Sequence, residues 1–186
     1  MHKVPLPGQL AAPDDRLYYN SNVAKPERKL KTVKVTFGKL TKHNKEQFRV
    51  LNYLTLPVVY SEDFYDRLTN YSRYSNLAYI KDVLVGAISC RYEENEEFKG
   101  MKNVYVMTIT ILKPYRRYGI GTQLLEKAIE ECKRDDVKQI YLHVHSGNQS
   151  AIEFYTKNGF TMKEEIQDYY QDLEPAGCQV LVKVLN

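Results

Sequence analysis

Tryptophan is absent from this 186-residue chain, and cysteine occurs only three times, at Cys90, Cys132 and Cys178. Three widely spaced thiols make neither a zinc-ligand pattern nor a disulfide framework, which fits a reducing cytosolic or nuclear setting. No run of about 18 apolar residues occurs, so no membrane span is expected. The N-terminus lacks the apolar stretch of a secretory signal. Charge of one sign is also scarce in the body of the chain. Residues 1–32 hold six Lys/Arg against three Asp/Glu, and the rest carries 21 basic against 20 acidic residues. The body is therefore no broad polyanion binder, and direct nucleic-acid contact is not expected.

What is present suits one globular unit. The chain is 43% hydrophobic and 27% charged, long enough for a single core. Tyrosine is abundant at 16 residues, and its polar tip on an apolar ring suits either a ligand groove or ordinary strands. Four of the seven prolines fall in residues 1–32, which show no periodicity. They are expected to form a flexible extension preceding one domain over 33–186.

Periodicity then predicts the order β-α-α-β-β-β-α-β-α-β-β. Val33 to Phe37 alternates as a half-buried strand. Thr41 is a candidate N-cap for a helix that turns Phe48, Leu51 and Leu54 inward and stops before Pro57. A short helix begins at Ser61, with Glu62 and Asp63 favouring its dipole. Leu77–Ile80 and Val83–Tyr92 read as a hairpin, followed by a charged loop from Glu93 to Gly100. Asn103 to Leu112 is rich in β-branched residues and ends at Pro114. Leu124, Leu125, Ala128, Ile129 and Cys132 mark the buried stripe of the next helix. Val137–Val144 is a strand, and Asn148–Asn158 a helix stopped by Asn158-Gly159. Phe160–Glu165 and Gln179–Val184 close the sheet.

The segment Pro114 to Thr122 (PYRRYGIGT) carries the chemistry. It joins a strand to an amphipathic helix. Its glycines permit close backbone approach, and the free N–H groups at the helix start make an anion site suited to phosphate. Arg116 and Arg117 add charged donors. A Walker loop would need Lys-Ser/Thr after the second glycine, where Thr122-Gln123 stands. A dinucleotide fold would need three glycines after the domain's first strand.

Side chains able to take or orient a proton stand on the strands near this turn. His143, with an ordinary pKa near 6.5, is a candidate base, and Tyr105, near 10, is better suited to orient a water or an amine. Both also read as ordinary strand packing. His145 shares the expected face of His143, and spacing alone leaves the two open. Tyr155 reads as helix-to-sheet packing beside Phe154. Asn148 reads first as an N-cap.

These motifs resemble the GNAT acetyltransferases. Arg116 to Gly121 resembles their pyrophosphate-binding motif, and Asn148-Gln-Ser-Ala-Ile-Glu-Phe-Tyr155 with Asn158-Gly-Phe160 resembles their later motif. Leu56-Pro-Val-Val-Tyr60, Tyr105-Val-Met-Thr108, Tyr141-Leu-His-Val144, Tyr169-Tyr170 and Glu174-Pro175 extend the likeness to catalytic subunits of NatE-type N-terminal acetyltransferases over residues 33–186. The resemblance implies an α/β (α+β) GNAT fold, a mixed central sheet flanked by helices with splayed strands at the active site. It implies acetyl-CoA as co-substrate and no metal. The coenzyme would lie on Ile109, Ile111, Arg116, Arg117, Tyr118, Gly119, Ile120, Gly121, Thr122, Asn148, Ser150 and Tyr155, its arm pairing with the strand end as a peptide adds to a sheet edge.

The same resemblance chooses Tyr105 and His143 for catalysis and places Tyr155 near the departing sulfur. It assigns Leu56, Pro57, Val58, Tyr60, Met107, Tyr169, Tyr170 and Leu173 to the acceptor, a protein N-terminus, expected to be Met followed by an apolar residue. Leu56 stands where the family expects phenylalanine. Association with NatA subunits at the ribosome is the family's expectation. Lysine or small-amine acetylation, and a role as an acetyl-CoA-binding scaffold subunit of a larger acetyltransferase complex, are the alternatives.

Overall fold

The structure is a computed structural model that describes residues 34–70, 72–94, 102–170 and 173–185. The expected extension over 1–32, Val33 and the loop stretch 95–100 lie outside the described residues.

The elements follow the expected order: β1 (Thr36–Lys39), α1 (Lys45–Thr55), α2 (Glu62–Asn70), β2 (Asn76–Ile80), β3 (Val83–Glu93), β4 (Asn103–Ile111), α3 (Ile120–Arg134), β5 (Gln139–His145), α4 (Gln149–Lys157), β6 (Thr161–Ile166) and β7 (Cys178–Val184). They build a seven-stranded sheet in the order β1-β2-β3-β4-β5-β7-β6. Neighbouring strands are antiparallel except β4 and β5. That parallel pair is joined through α3, as a parallel connection requires a crossover.

The sheet buries both faces. On one, Ile120, Leu124, Leu125, Ala128 and Cys132 of α3 meet Val104, Val106, Ile140, Leu142 and Val144. On the other, Phe48, Leu51, Tyr65 and Leu68 of α1 and α2 cover Leu77 and Ala87. Full burial of a side chain such as Phe48 contributes about 1.5–3 kcal/mol. The edge strand β6 is exposed along most of its length and carries Lys163, Glu164 and Glu165, charges that discourage edge-to-edge pairing.

Two expectations for α1 fail. Thr41 does not cap it. The helix starts at Lys45 after Asn44, whose side-chain oxygen turns back to accept from the Thr41 N–H at 2.7 Å. Leu54 does not face inward either, being 62% exposed. The buried stripe runs through Phe48, Leu51 and Asn52, and at 100° per residue Leu54 falls outside it. The expected helix stop holds: Leu56 before Pro57 is extended, and its N–H bonds to the Asn52 carbonyl.

Two features of β4 position the site. Its ladder to β5 covers only Asn103, Val104 and Tyr105, opposite Gln139, Ile140 and Tyr141, and the strands part beyond that row. On its other side, Ser89 opposes Thr108 while Cys90 opposes Val106, so Met107 is the extra residue of a β-bulge. The bulge reverses side-chain parity. Val104 and Val106 point to the α3 side, and so do Ile109 and Ile111.

Candidate active site

The donor end begins where β4 stops. A short 3-10 turn over Lys113–Tyr115 leads into Arg116, whose Nε donates to the Ile111 carbonyl at 3.0 Å. Arg117 takes φ +68° and Gly119 φ +74°, left-handed values that glycine adopts freely and arginine only under strain. α3 starts directly after Gly119, and the first N–H of that turn bonded within the helix is Gln123, at 3.1 Å from the Gly119 carbonyl. The N–H groups before it are the unpaired donors of a helix start. They face a cavity of about 510 Å³ lined by Ile111, Tyr115, Arg116, Arg117, Tyr118, Gly119, Ile120, Gly121, Thr122 and Phe154. Seven consecutive expected coenzyme residues, Arg116 to Thr122, therefore line one cavity. A donor N-terminus, helix dipole and guanidinium groups around it suit a polyphosphate.

Ile109, two residues back from Ile111 of that lining, is half-buried against the α3 side. Asn148 and Ser150 are exposed at the start of α4. The Asn148 side chain accepts from the Ala151 N–H at 3.2 Å, so it does act as an N-cap. Tyr155 is buried, edge-on to Phe154 at 5.1 Å and to Phe160 at 5.4 Å, and burial pushes its hydroxyl well above the usual range. Its packing within the core is plain in the structure.

The second cluster sits at the row where β4 and β5 part. Tyr105, Tyr141 and His143 share one face, with ring centroids 5.1 Å apart for Tyr105–Tyr141 and 5.5 Å for Tyr105–His143. Tyr169 lies flat on His143 at 5.2 Å and 15°. Burial lowers the pKa of His143, opposed by the charges of Glu93 and Glu164. Its Nδ1 is buried and has no hydrogen-bond partner among the described residues. A neutral imidazole has one donor and one acceptor nitrogen, so such a group fits a polar ligand or a bridging water. Burial drives the Tyr105 hydroxyl far up, with Tyr169, Tyr170 and Tyr141 adding to it. It stays protonated at neutral pH and can donate or orient but not act as base. His145, the local competitor, is bonded instead to the Pro175 carbonyl and sits edge-on to Tyr170.

Of the acceptor candidates, Tyr169 lies on this cluster and Tyr170 lies beside it. Tyr60 stacks on Phe64 at 4.0 Å and is pushed up to about 12 by burial and by Tyr65. Burial raises the Tyr170 hydroxyl, with Cys178, Tyr169 and Tyr60 adding to it, and its ring lies 4.9 Å from that of Tyr169. Met107 is partly buried against the α1–α2 core. Leu56 and Val58 are half-buried, while Pro57 and Leu173 are exposed.

Two residues here escaped the sequence reading. Arg91 holds its guanidinium over the Tyr105 ring at 5.3 Å. Glu93, expected in a loop, is the last residue of β3 and bonds Arg91 and the Tyr141 hydroxyl. An opposite-charge pair two apart on a strand, hence on one face, was the available signal.

Parallel strands that part beyond a Tyr–His row, with a cavity suited to a polyphosphate at a helix start by the end of one of them, fit a coenzyme-A-type acyltransferase scaffold. The chain belongs to the GNAT acetyltransferases: residues 40–160 match the Acetyltransferase (GNAT) family. N-alpha-acetyltransferase 50 of Danio rerio is 40% identical over 154 residues, 82% of this chain and 90% of the relative. An N-alpha-acetyltransferase of Saccharolobus solfataricus is 34% identical over 140 residues, 70% of this chain and 83% of the relative. The solved structure of Arabidopsis thaliana Naa50 in complex with the bisubstrate analogue CoA-Ac-MVNAL superposes with TM-score 0.73 at 39% identity, covering 80% of this chain and 97% of that one.

Proposed function

We propose that this protein transfers the acetyl group of acetyl-CoA to the free α-amine of protein N-termini, with Met followed by an apolar residue as the preferred start. The observation that carries the reading is the pairing of two clusters along β4. Tyr105 and His143 stand at the splay row, and the Arg116–Thr122 cavity opens past Ile111. Tyr105 and Ile111 lie opposite Arg91 and Gly86, five regular steps apart, roughly 17 Å of strand. That geometry suits a long donor whose phosphates bind at one end and whose thioester reacts at the other. The Arabidopsis relative is bound to an analogue whose peptide begins Met-Val.

Acetyl-CoA supplies the activated acetyl group and its thiolate leaving group. The helix start of α3, with Arg116 and Arg117, holds the phosphates. The free β4 edge from Ile109 to Ile111 pairs with the arm, beside Asn148 and Ser150 at the start of α4. A peptide α-amine with pKa about 7.7–8.0 is partly neutral at pH 7. His143 accepts its remaining proton, directly or through a water, and its lowered pKa keeps it in the accepting form. Tyr105 stays protonated and orients the amine or that water. Tyr155 stands as hydrogen-bond donor to the departing sulfur. Leu56, Pro57, Val58, Tyr60, Met107, Tyr169, Tyr170 and Leu173 surround the first residues of the acceptor.

A panel of short peptides with free or blocked N-termini, assayed with acetyl-CoA, tests the reading. Free Met-Val peptides should be acetylated and their blocked counterparts should not. Transfer only to blocked, lysine-containing peptides would reject it. Assembly with NatA subunits in the cytoplasm belongs to the same proposal, and co-migration with those subunits in gel filtration tests it.

A further inference from the structure

We infer that Glu93 is a positioning residue for the proton-accepting site, its carboxylate tying Tyr141 to Arg91 and so fixing Tyr105 and His143 where β4 and β5 part. This rests on the functional reading of Tyr105 and His143 given above. Arg91, Tyr105 and Tyr141 are direct register neighbours on three adjacent strands. Glu93 stands one same-face step along β3. Arg91 Nε donates to one carboxylate oxygen at 2.9 Å, and the Tyr141 hydroxyl donates to the other. Arg91 also covers the Tyr105 ring, whose centroid lies 5.1 Å from that of Tyr141. The four side chains form a closed ring around one carboxylate.

Its place in the sheet explains why such a ring is needed. Beyond the Tyr105–Tyr141 row no ladder joins β4 to β5, so the backbone alone does not fix His143 relative to β4. Glu93 reaches from β3 across β4 to β5 at that last row. Its side chain is only 16% exposed, and charge-assisted hydrogen bonds there are stronger and more directional than at a surface. Among the described residues, the charged and titratable groups facing His143 are Tyr105 on β4, Tyr141 and His145 on β5, Tyr169 on the loop, Glu93 on β3 and Glu164 on β6, with Arg91 beyond Tyr105. Glu93 is one of the two anions favouring the protonated ring.

Glu93→Gln removes the charge at nearly constant shape. Its kcat should fall roughly tenfold, as for a displaced reactive group, with the KM for acetyl-CoA within about twofold of wild type. The His143 titration, read by NMR on the ligand-free protein, should move to lower pH by a few tenths of a unit or more. Tyr141→Phe, which breaks the same bridge with the charge kept, should lower kcat alike, and the double variant should be no worse than either single one. A wild-type kcat in Glu93→Gln overturns the inference. So does a loss accompanied by a lower melting temperature and an unmoved His143 titration, which would make Glu93 merely structural. Should the wild type acetylate no peptide, the functional reading fails, and the titration still decides whether Glu93 acts on His143.

Discussion

Gly121→Ala separates the ligand's demands from the fold's. Gly121 lies in the first turn of α3 and lines the donor cavity. A methyl built there meets two Phe154 ring atoms at 3.4 Å and Ile109 Cδ1 at 4.0 Å, all ordinary van der Waals contacts. The fold alone therefore has room for alanine. Alanine also favours the helix, by up to about 1 kcal/mol in an interior and less at the first turn. The free protein should keep its stability or gain a few tenths of a kcal/mol. The Cα–Cβ bond of a helical residue tilts toward the N-terminus, the direction in which the free N–H groups point. A methyl there holds a phosphate away from donors it must approach to about 2.9 Å. Losing one charge-assisted hydrogen bond costs about 1.5–3 kcal/mol, so acetyl-CoA affinity should fall roughly ten- to a hundredfold. Calorimetric titration with CoA and a thermal melt of the same sample read both signs. Unchanged CoA affinity would refute the reasoning, because Gly121 would then answer to neither the ligand nor the fold.

Three further outcomes are expected. His143→Ala should lower turnover about 10²–10⁴-fold while the Kd for acetyl-CoA, measured by calorimetry, stays near wild type. Tyr155→Phe keeps the ring packing on Phe154 and Phe160, so its melting temperature should hold while kcat drops about tenfold or more; full activity would leave Tyr155 as packing alone. His143 has a native pKa below its ordinary value, so on acidification the unfolded chain binds that proton first. Stability from this group is complete above about pH 6.5 and is lost as the pH falls from there through the lower native value. Urea midpoints at pH 7.5 and 5.5 should therefore differ more in wild type than in His143→Gln.

The order of the elements was readable because α3 and β5 keep clean periodicities. Gln139 to His145 alternates without exception between half-buried and buried positions. The glycine turn was readable because its residues are consecutive and act mainly through backbone. The α1 face was misread because a buried polar residue, Asn52, holds the position where an apolar residue was sought. Glu93 was placed in a loop because charged residues run on after it, and its bond to Tyr141 joins positions 48 apart in sequence. Such a contact depends on sheet order, which periodicity does not encode. His143 and His145 have identical spacing rules, and only the Pro175 carbonyl, thirty residues away, distinguishes them.

The bulge at Met107 links the two ends of the site. Without it, strict alternation would put Ile109 and Ile111 on the face of Tyr105, away from α3. With it, Tyr105 and Met107 face the acceptor side, while Ile109 and Ile111 seal the core beneath the donor cavity. Thr108 meets Ser89 at 2.6 Å on the Tyr105 face, which holds the shifted register in place. One extra residue thus lets a single strand serve a polar reaction row and an apolar floor in sequence. Deleting Met107 would remove the bulge yet leave Thr108 and Thr110 on the Tyr105 face and Ile109 and Ile111 toward α3, because Val106 and Thr108 already lie on opposite faces. That variant should keep CoA affinity and most of its stability but lose the Met107 side chain and the local kink, so its KM for peptide should rise, whereas Met107→Leu keeps the bulge and should bind CoA alike. Circular dichroism melts, CoA titrations and peptide kinetics of the two variants test it, and a Met107 deletion that no longer binds CoA would show that side-chain parity is not what the bulge keeps in order.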